Sequence, residues 1–255
     1  MTKSGAPATP NMERIAIFFV AGIRGMLHSG STNTVKGEKR FAMPVDQQLL
    51  YVADPMCSWC WGFHPVITAI QAEFSNSFAP VLIMGGLRPW TKQALSDADR
   101  AKLLEHWGHV AKASGQPFTT ELIARSGFVY DSEPAARAVV TAQSLYPGQG
   151  FAFLGAVQAA FYAQARDVTD ESVLADIAQE LGHDRTNFAA MLVSLEARQE
   201  TIRHFQSALR MGVRGFPTVI AVDNDKSGEA ICIGYAPLAE MRARLEAYLA
   251  KAGAA

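Results

Sequence analysis

Apolar residues follow three different patterns along this chain. Leu49 to Ala53 (LLYVA) is a short, partly β-branched run stopped by Asp54-Pro55, and it reads as a buried strand. A cysteine-bearing helix follows, bent or restarted at Pro65. Pro80 to Met84 (PVLIM) is a second buried strand, closed by Gly85-Gly86. Strand, helix and strand in so short a span form a βαβ unit, whose crossover makes the two strands parallel.

The pattern then turns helical. Ser132-Glu133-Pro134 is an N-terminal start signal, with Pro near the first helical position. Val173, Leu174, Ile177, Ala178 and Leu181 trace one helical face, ended by Gly182. Phe188, Met191, Leu192 and Leu195 repeat the spacing, as do Ile202, Phe205 and Leu209 before Gly212. Residues 89–210 therefore read as an all-helical block. Strands return at Thr218 to Val222 and Ala230 to Tyr235, separated by Asp223-Asn224-Asp225 and Gly228, which predicts an antiparallel hairpin with a loop longer than two residues. Leu238, Met241, Leu245, Tyr248 and Leu249 form a final amphipathic helix. The order is β-α-β, a helical block, then β-β-α: an α/β domain made of residues 45–88 and 211–255, with residues 89–210 inserted.

Residues 1–44 follow none of these patterns. Lys3, Arg14, Arg24, Lys36, Lys39 and Arg40 stand against Glu13 and Glu38 among Gly, Ser, Thr and Pro. The expectation is a disordered or non-native extension with no catalytic residue, and Met43 is an alternative start. Arg14 before the apolar stretch Ile15 to Ile23 has the outline of a signal peptide, but Arg24 follows at once and no small-x-small cleavage site comes after it.

Composition narrows the classes. The chain has 255 residues, 49% of them hydrophobic, 18% charged, and a formal net charge of -1. That balance offers no electrostatic footprint for nucleic acid, and no apolar run reaches the length of a membrane span. Three cysteines exclude a disulfide-rich secreted scaffold.

Two of those cysteines carry the chemistry. In Asp54-Pro55-Met56-Cys57-Ser58-Trp59-Cys60-Trp61, Cys57 falls at the start of a helix, where unpaired N–H groups and the positive dipole end favour a thiolate. Cys60, one turn on, lies on the same face and within disulfide reach. One sulfur exchanges with a substrate and the other resolves the mixed disulfide. Zinc is the rival reading, because His64 continues the same helix face and Cys232 is a further thiol. Structural zinc generally uses two ligand pairs, however, and no second pair exists, so no metal is expected. His64 then reads as a packing residue and Cys232 as a buried, inert thiol. The other informative segment is Gly212-Val213-Arg214-Gly215-Phe216-Pro217-Thr218. A glycine-flanked X-Pro just before an apolar strand is a candidate cis peptide, or else a trans proline opening an edge strand.

Taken together, the two segments resemble the DsbA-like branch of the thioredoxin fold. The D-P-M-C-S-W-C-W-G-F and G-V-R-G-F-P-T strings look like its FrnE-type subgroup of predicted protein-disulfide isomerases, and the resemblance covers roughly residues 47–250. It implies a thioredoxin-like α/β fold with a large all-helical insertion. It implies Cys57 as the exposed nucleophile, Cys60 as the buried resolving thiol, and cis-Pro217 against the pair. Trp59, Phe216 and Thr218 would contact substrate, the backbone of Phe216 receiving an extended chain as an added strand. Pro65 matches a helix-bending proline of thioredoxins. Tyr51 stands where many relatives have a buried carboxylate, so Asp54 is the candidate for proton transfer. The Ser58-Trp59 dipeptide matches neither the reducing thioredoxin pair nor the oxidising DsbA pair.

The function implied is a protein dithiol-disulfide oxidoreductase or isomerase. The redox-active disulfide is its only redox group, glutathione is a candidate co-substrate, and its partners are protein or peptide thiols and the glutathione or thioredoxin system. The expected location is the cytoplasm, or the periplasm if residues 1–30 act as a signal peptide. The alternative is a glutathione-dependent isomerase or transferase of the kappa or hydroxychromene-carboxylate isomerase type. Those relatives tend to carry serine in place of the first cysteine. A non-catalytic peptide binder is a third class.

Overall fold

The structure is a computed structural model and describes residues 14–15, 47–223 and 227–252. Strand β1 (Arg14–Ile15) is followed by β2 (Gln48–Ala53), α1 (Ser58–Glu73) and β3 (Ala79–Met84). Seven helices follow within the described residues: α2 (Asp97–Ser114), α3 (Glu121–Ala124), α4 (Glu133–Leu145), α5 (Gly150–Tyr162), α6 (Glu171–Glu180), α7 (Arg185–Leu192) and α8 (Leu195–Arg210). Strands β4 (Thr218–Val222) and β5 (Gly228–Ile233) and helix α9 (Leu238–Ala252) complete the order. This is a thioredoxin-like fold with the helices inserted between β3 and β4, and the expected fold class stands.

The sheet runs β1-β5-β4-β2-β3. β2 and β3 pair in parallel with Leu50 opposite Val81, as their helical crossover requires. β4 pairs antiparallel with β2 and β5, its ladder to β5 shifting between Val219 and Ile220. The unbroken apolar run of β2 follows from cover on both faces. Leu49, Tyr51 and Ala53 join a large core with α1, α4, α5 and α9, while Leu50 and Val52 join a smaller cluster with Ile83, Ile220, Val222 and Ala208 beneath α8.

Pro65 lies inside a continuous α1 rather than restarting it. Its missing N–H frees the Trp61 carbonyl, which accepts instead from Gln116 Nε2 at 3.1 Å, so the insertion supplies the lost partner.

Three expectations are corrected. Leu195 does not continue α7: Ser194 Oγ accepts from Ala197 N at 3.1 Å and caps a new helix, leaving Leu195 68% exposed. Ile202 and Leu209 do not mark the buried face of α8 and are 39% and 68% exposed. The face against α4 and β3 is Ala197, Thr201, His204, Phe205 and Ala208. The block is also not purely helical, since Ala94 and Val129 form an isolated antiparallel bridge.

Of residues 1–44, Arg14–Ile15 forms β1 on the edge of β5. The other expectations for that stretch, Met43 included, lie outside the described residues. No helix among the described residues is long and apolar enough to cross a membrane.

Candidate active site

The turn Asp54-Pro55-Met56 carries the chain from β2 into α1. Cys57 is the N-cap, its N–H bonded to the Asp54 carbonyl at 3.1 Å, and Cys60 sits in the first turn. Both are free thiols, close enough to interact. Cys60 is fully buried. Cys57 retains 6% exposure and is recessed rather than exposed, because the loop before β4 closes over it. There the Cys57 thiol meets the Phe216 carbonyl oxygen at 3.5 Å, and the Phe216–Pro217 peptide is cis.

That loop is fixed on three sides. Gly234 N donates to the Pro217 carbonyl at 2.7 Å, and Thr218 Oγ1 donates to the Gly215 carbonyl at 2.9 Å. Thr218 is thus buried and shapes the loop from inside. The Phe216 ring lies against Gly85, where a Cβ would come within 1.9 Å of it. Trp59 is half-buried between His106 of α2 and Tyr235 after β5, with ring centroids 5.9 and 5.5 Å away.

Asp54 is completely buried behind the cysteines. Its Oδ1 accepts from Met56 N at 2.9 Å. Its Oδ2 accepts from Leu87 N at 2.7 Å and from Ser132 Oγ at 3.0 Å. Burial pushes its carboxyl up to about 6 against the pull of these three donors, with the nearby Asp131 adding to the rise. Burial also pushes the Cys60 thiol well up, followed by the bond to and charge of Cys57, and the Asp54 charge adds a smaller push. A thiol held this firmly in its protonated form needs a base before it can attack.

Tyr51 occupies the place where the resemblance puts a carboxylate. Its phenol is held well up by burial and then by the charges of Cys60 and Cys57 and a hydrogen bond with Cys60.

Several site residues escaped the sequence reading. Ser132 was legible as a helix start, yet its hydroxyl makes no cap bond to its own helix and reaches Asp54. Tyr130 OH donates to the Met56 carbonyl at 2.5 Å, and Tyr162 OH stands 3.3 Å from Tyr130 OH. No spacing in the sequence connects either tyrosine to Cys57. His64 packs as expected, its ring stacked on Trp61 and lying where a side chain on Gly155 would stand. Cys232 is buried, donates to the Gly234 carbonyl at 3.1 Å, and is pushed up by burial. Among the described residues no group of three or more His, Cys, Asp or Glu is disposed to hold a metal ion.

A cysteine pair at a helix N-terminus opposite a cis-proline loop, on this sheet and with this insertion, is the architecture of thioredoxin-fold thiol-disulfide oxidoreductases. The profile of the DSBA-like thioredoxin domain matches residues 48–246, and the chain belongs to that family. It is similar to a Nitrosomonas europaea protein proposed to be a protein disulfide isomerase, with 38% identity, a TM-score of 0.75 and coverage of 81% of this chain and 98% of that one. It is also similar to the cytosolic disulfide reductase DsbM of Pseudomonas aeruginosa, at 29% identity, TM-score 0.67 and coverage of 79% and 98%. A second structure of that reductase is with GSH (25% identity, TM-score 0.64, coverage 79% and 98%). Among curated relatives, the ClpXP adapter protein SpxH of Shouchella clausii is 27% identical over 77% of this chain, and the match spans only 65% of that adapter's own length.

Proposed function

We propose that this chain is a dithiol-disulfide oxidoreductase for protein or peptide disulfides, with Cys57 as nucleophile and Cys60 as resolving thiol. The observation that carries this reading is Cys57 Sγ at 3.5 Å from the Phe216 carbonyl beside cis-Pro217, with Cys60 buried one turn behind. In the reducing direction the Cys57 thiolate attacks one sulfur of a substrate disulfide. A Cys57–substrate disulfide forms, and the other substrate sulfur leaves and takes up a proton. Cys60 then attacks Cys57 Sγ while its proton passes to the Asp54 carboxylate, and the second substrate sulfur leaves. The substrate gains two electrons, and Cys57 and Cys60 become a disulfide. The reverse sequence oxidises a substrate. Attack on the mixed disulfide by another substrate thiol isomerises it.

The backbone at Phe216 receives the substrate chain as an added strand, Trp59 lines the rim, and Thr218 holds the loop that presents Phe216. The pair needs no resident cofactor or metal. Likeness to a cytosolic reductase, one of whose structures is with GSH, favours a cytoplasmic protein whose pair is kept reduced by glutathione or a thioredoxin system. A net charge of -1 favours neither nucleic acid nor an anionic membrane as partner.

Cys57→Ser abolishes reduction of a protein disulfide, and Cys60→Ser accumulates Cys57-linked mixed disulfides visible by non-reducing mass spectrometry. A Cys60→Ser variant that traps nothing sinks the two-cysteine mechanism. Titration of the pair against glutathione assigns the direction: a potential near thioredoxin's marks a reductase, and one near DsbA's a disulfide donor. The likeness to SpxH supports a second reading, a protein-binding adapter, which predicts that Cys57→Ser leaves function intact.

A further inference from the structure

We infer that Ser132, at the N-cap position of the insertion's helix α4, is a positioning residue that fixes the Asp54 carboxylate for proton transfer from Cys60. The inference rests on the reading of Asp54 as the proton acceptor and names the group that sets its geometry.

Ser132 stands where a capping serine is expected, but its backbone is in the α region (φ -87, ψ -5) rather than extended. Its hydroxyl therefore does not turn back to the first N–H groups of α4. Fully buried, it accepts from Arg88 N at 3.0 Å and donates to Asp54 Oδ2 at 3.0 Å. Ser132 N in turn donates to the Arg88 carbonyl at 3.3 Å. A hydroxyl has one hydrogen, and the Arg88 N–H already occupies an acceptor position, so that hydrogen points at the carboxylate.

The donors on Asp54 are distributed unequally. Oδ2 takes two, Leu87 N and Ser132 Oγ, and both its lone-pair directions are filled. Among the described residues Oδ1 takes only Met56 N and keeps one direction free. Of the two carboxylate oxygens, Oδ1 is thus the one with room for the proton released as Cys60 attacks, while Ser132 and Leu87 hold the other oxygen still. The insertion, with no residue in the C-x-x-C or the cis-proline loop, thus supplies one of the three donors that set the base.

The ionisable groups facing Asp54 are Asp131 before α4, Cys60 on α1, and Tyr130 and Tyr162 from the insertion. Both tyrosines are held neutral by burial, and the Arg88 guanidinium lies 5.3 Å over the Tyr130 ring. The remaining carboxylate among them, Asp131, acts on Asp54 as a neighbouring charge. It is bound to Trp90 N and Glu133 N, bonds that removal of the Ser132 hydroxyl does not touch.

The test loads Cys57 of the full chain with 5-thio-2-nitrobenzoate and follows its release by Cys60 as a function of pH. Wild type, Ser132→Ala, Ser132→Gly and Asp54→Asn are compared. Each serine variant loses one of three donors to the carboxylate, so the acid limb moves to higher pH by about one unit and release on that limb slows roughly tenfold. The glycine variant serves if the alanine variant does not fold. If Asp54→Asn removes the limb while both serine variants keep the wild-type midpoint, the role of Ser132 is wrong and that of Asp54 survives. If Asp54→Asn leaves the limb in place, the Asp54 reading itself fails.

Discussion

Two buried ionisable side chains sit at the carboxyl ends of the neighbouring parallel strands, and their surroundings differ. Asp54 follows β2 on the side of the large core, with three donors on its two oxygens. His204 reaches from α8 to the end of β3 on the side of the small cluster. Its Nδ1 accepts from Met84 N at 3.1 Å, and its buried Nε2 has no hydrogen-bond partner among the described residues, the Glu200 carboxylate standing 3.9 Å away. Burial favours the neutral form of both, raising the acid to about 6 and lowering the base to about 4. Asp54, however, lies beside a thiol that must lose its proton, whereas His204 is bonded to a strand end. On the mechanism proposed here, equal burial thus gives a group that moves protons in one region and a structural pin in the other. The hydrogen-bond partners make that distinction.

The contrast is tested most severely by activity. Asp54→Asn is expected to slow resolution of the Cys57 mixed disulfide by about 10²–10⁴-fold at neutral pH, the usual contribution of a positioned base. His204→Leu is expected to leave that rate within a few-fold. Comparable losses in both would erase the distinction.

Stability against pH separates the two groups next, because their linkages have opposite sign. Asp54 has a raised folded value, so the native state keeps a proton that the unfolded chain sheds between pH 3.8 and about 6. Its contribution is fully present below that window and falls by about 3 kcal/mol as pH rises through it. His204 has a lowered folded value, so its contribution is present above pH 6.5 and falls by about 3 kcal/mol as pH drops to about 4. Denaturant unfolding of wild type against Asp54→Asn and His204→Leu between pH 4 and 7 should yield difference curves of opposite slope. Curves of the same sign would contradict the assignment.

Smaller effects sharpen the picture. At pH 7 His204→Leu leaves Met84 N buried without an acceptor and is expected to lose about 2 kcal/mol in urea melts. Gln116→Ala removes the donor to the carbonyl freed by Pro65 and is expected to lose about 1 kcal/mol, with the rate of mixed-disulfide resolution unchanged.

Much of the fold was legible because local signals carry it. The β-α-β start, the closing hairpin and α9 follow from short apolar runs, turn residues and helical spacing. Cys57, Cys60 and Pro217 were legible for the same reason. The burial of α8 was legible only in part: Phe205 is buried as its spacing predicts, but Ile202 and Leu209 stay exposed while Ala197, Thr201, His204 and Ala208 complete the packed face. An amphipathic pattern locates a helix, but the face it buries depends on how near its neighbour comes.

By itself, then, the sequence determined the order of elements, the pair of thiols one helical turn apart and the proline that faces them, all set by residues close along the chain. The tertiary structure decided which groups act on those thiols. Asp54 meets Leu87 across 33 positions and Ser132 across 78, and His204 meets Met84 across 120. A buried carboxylate gains its proton affinity and its geometry from whichever donors the docked helices bring, and no local pattern encodes that docking.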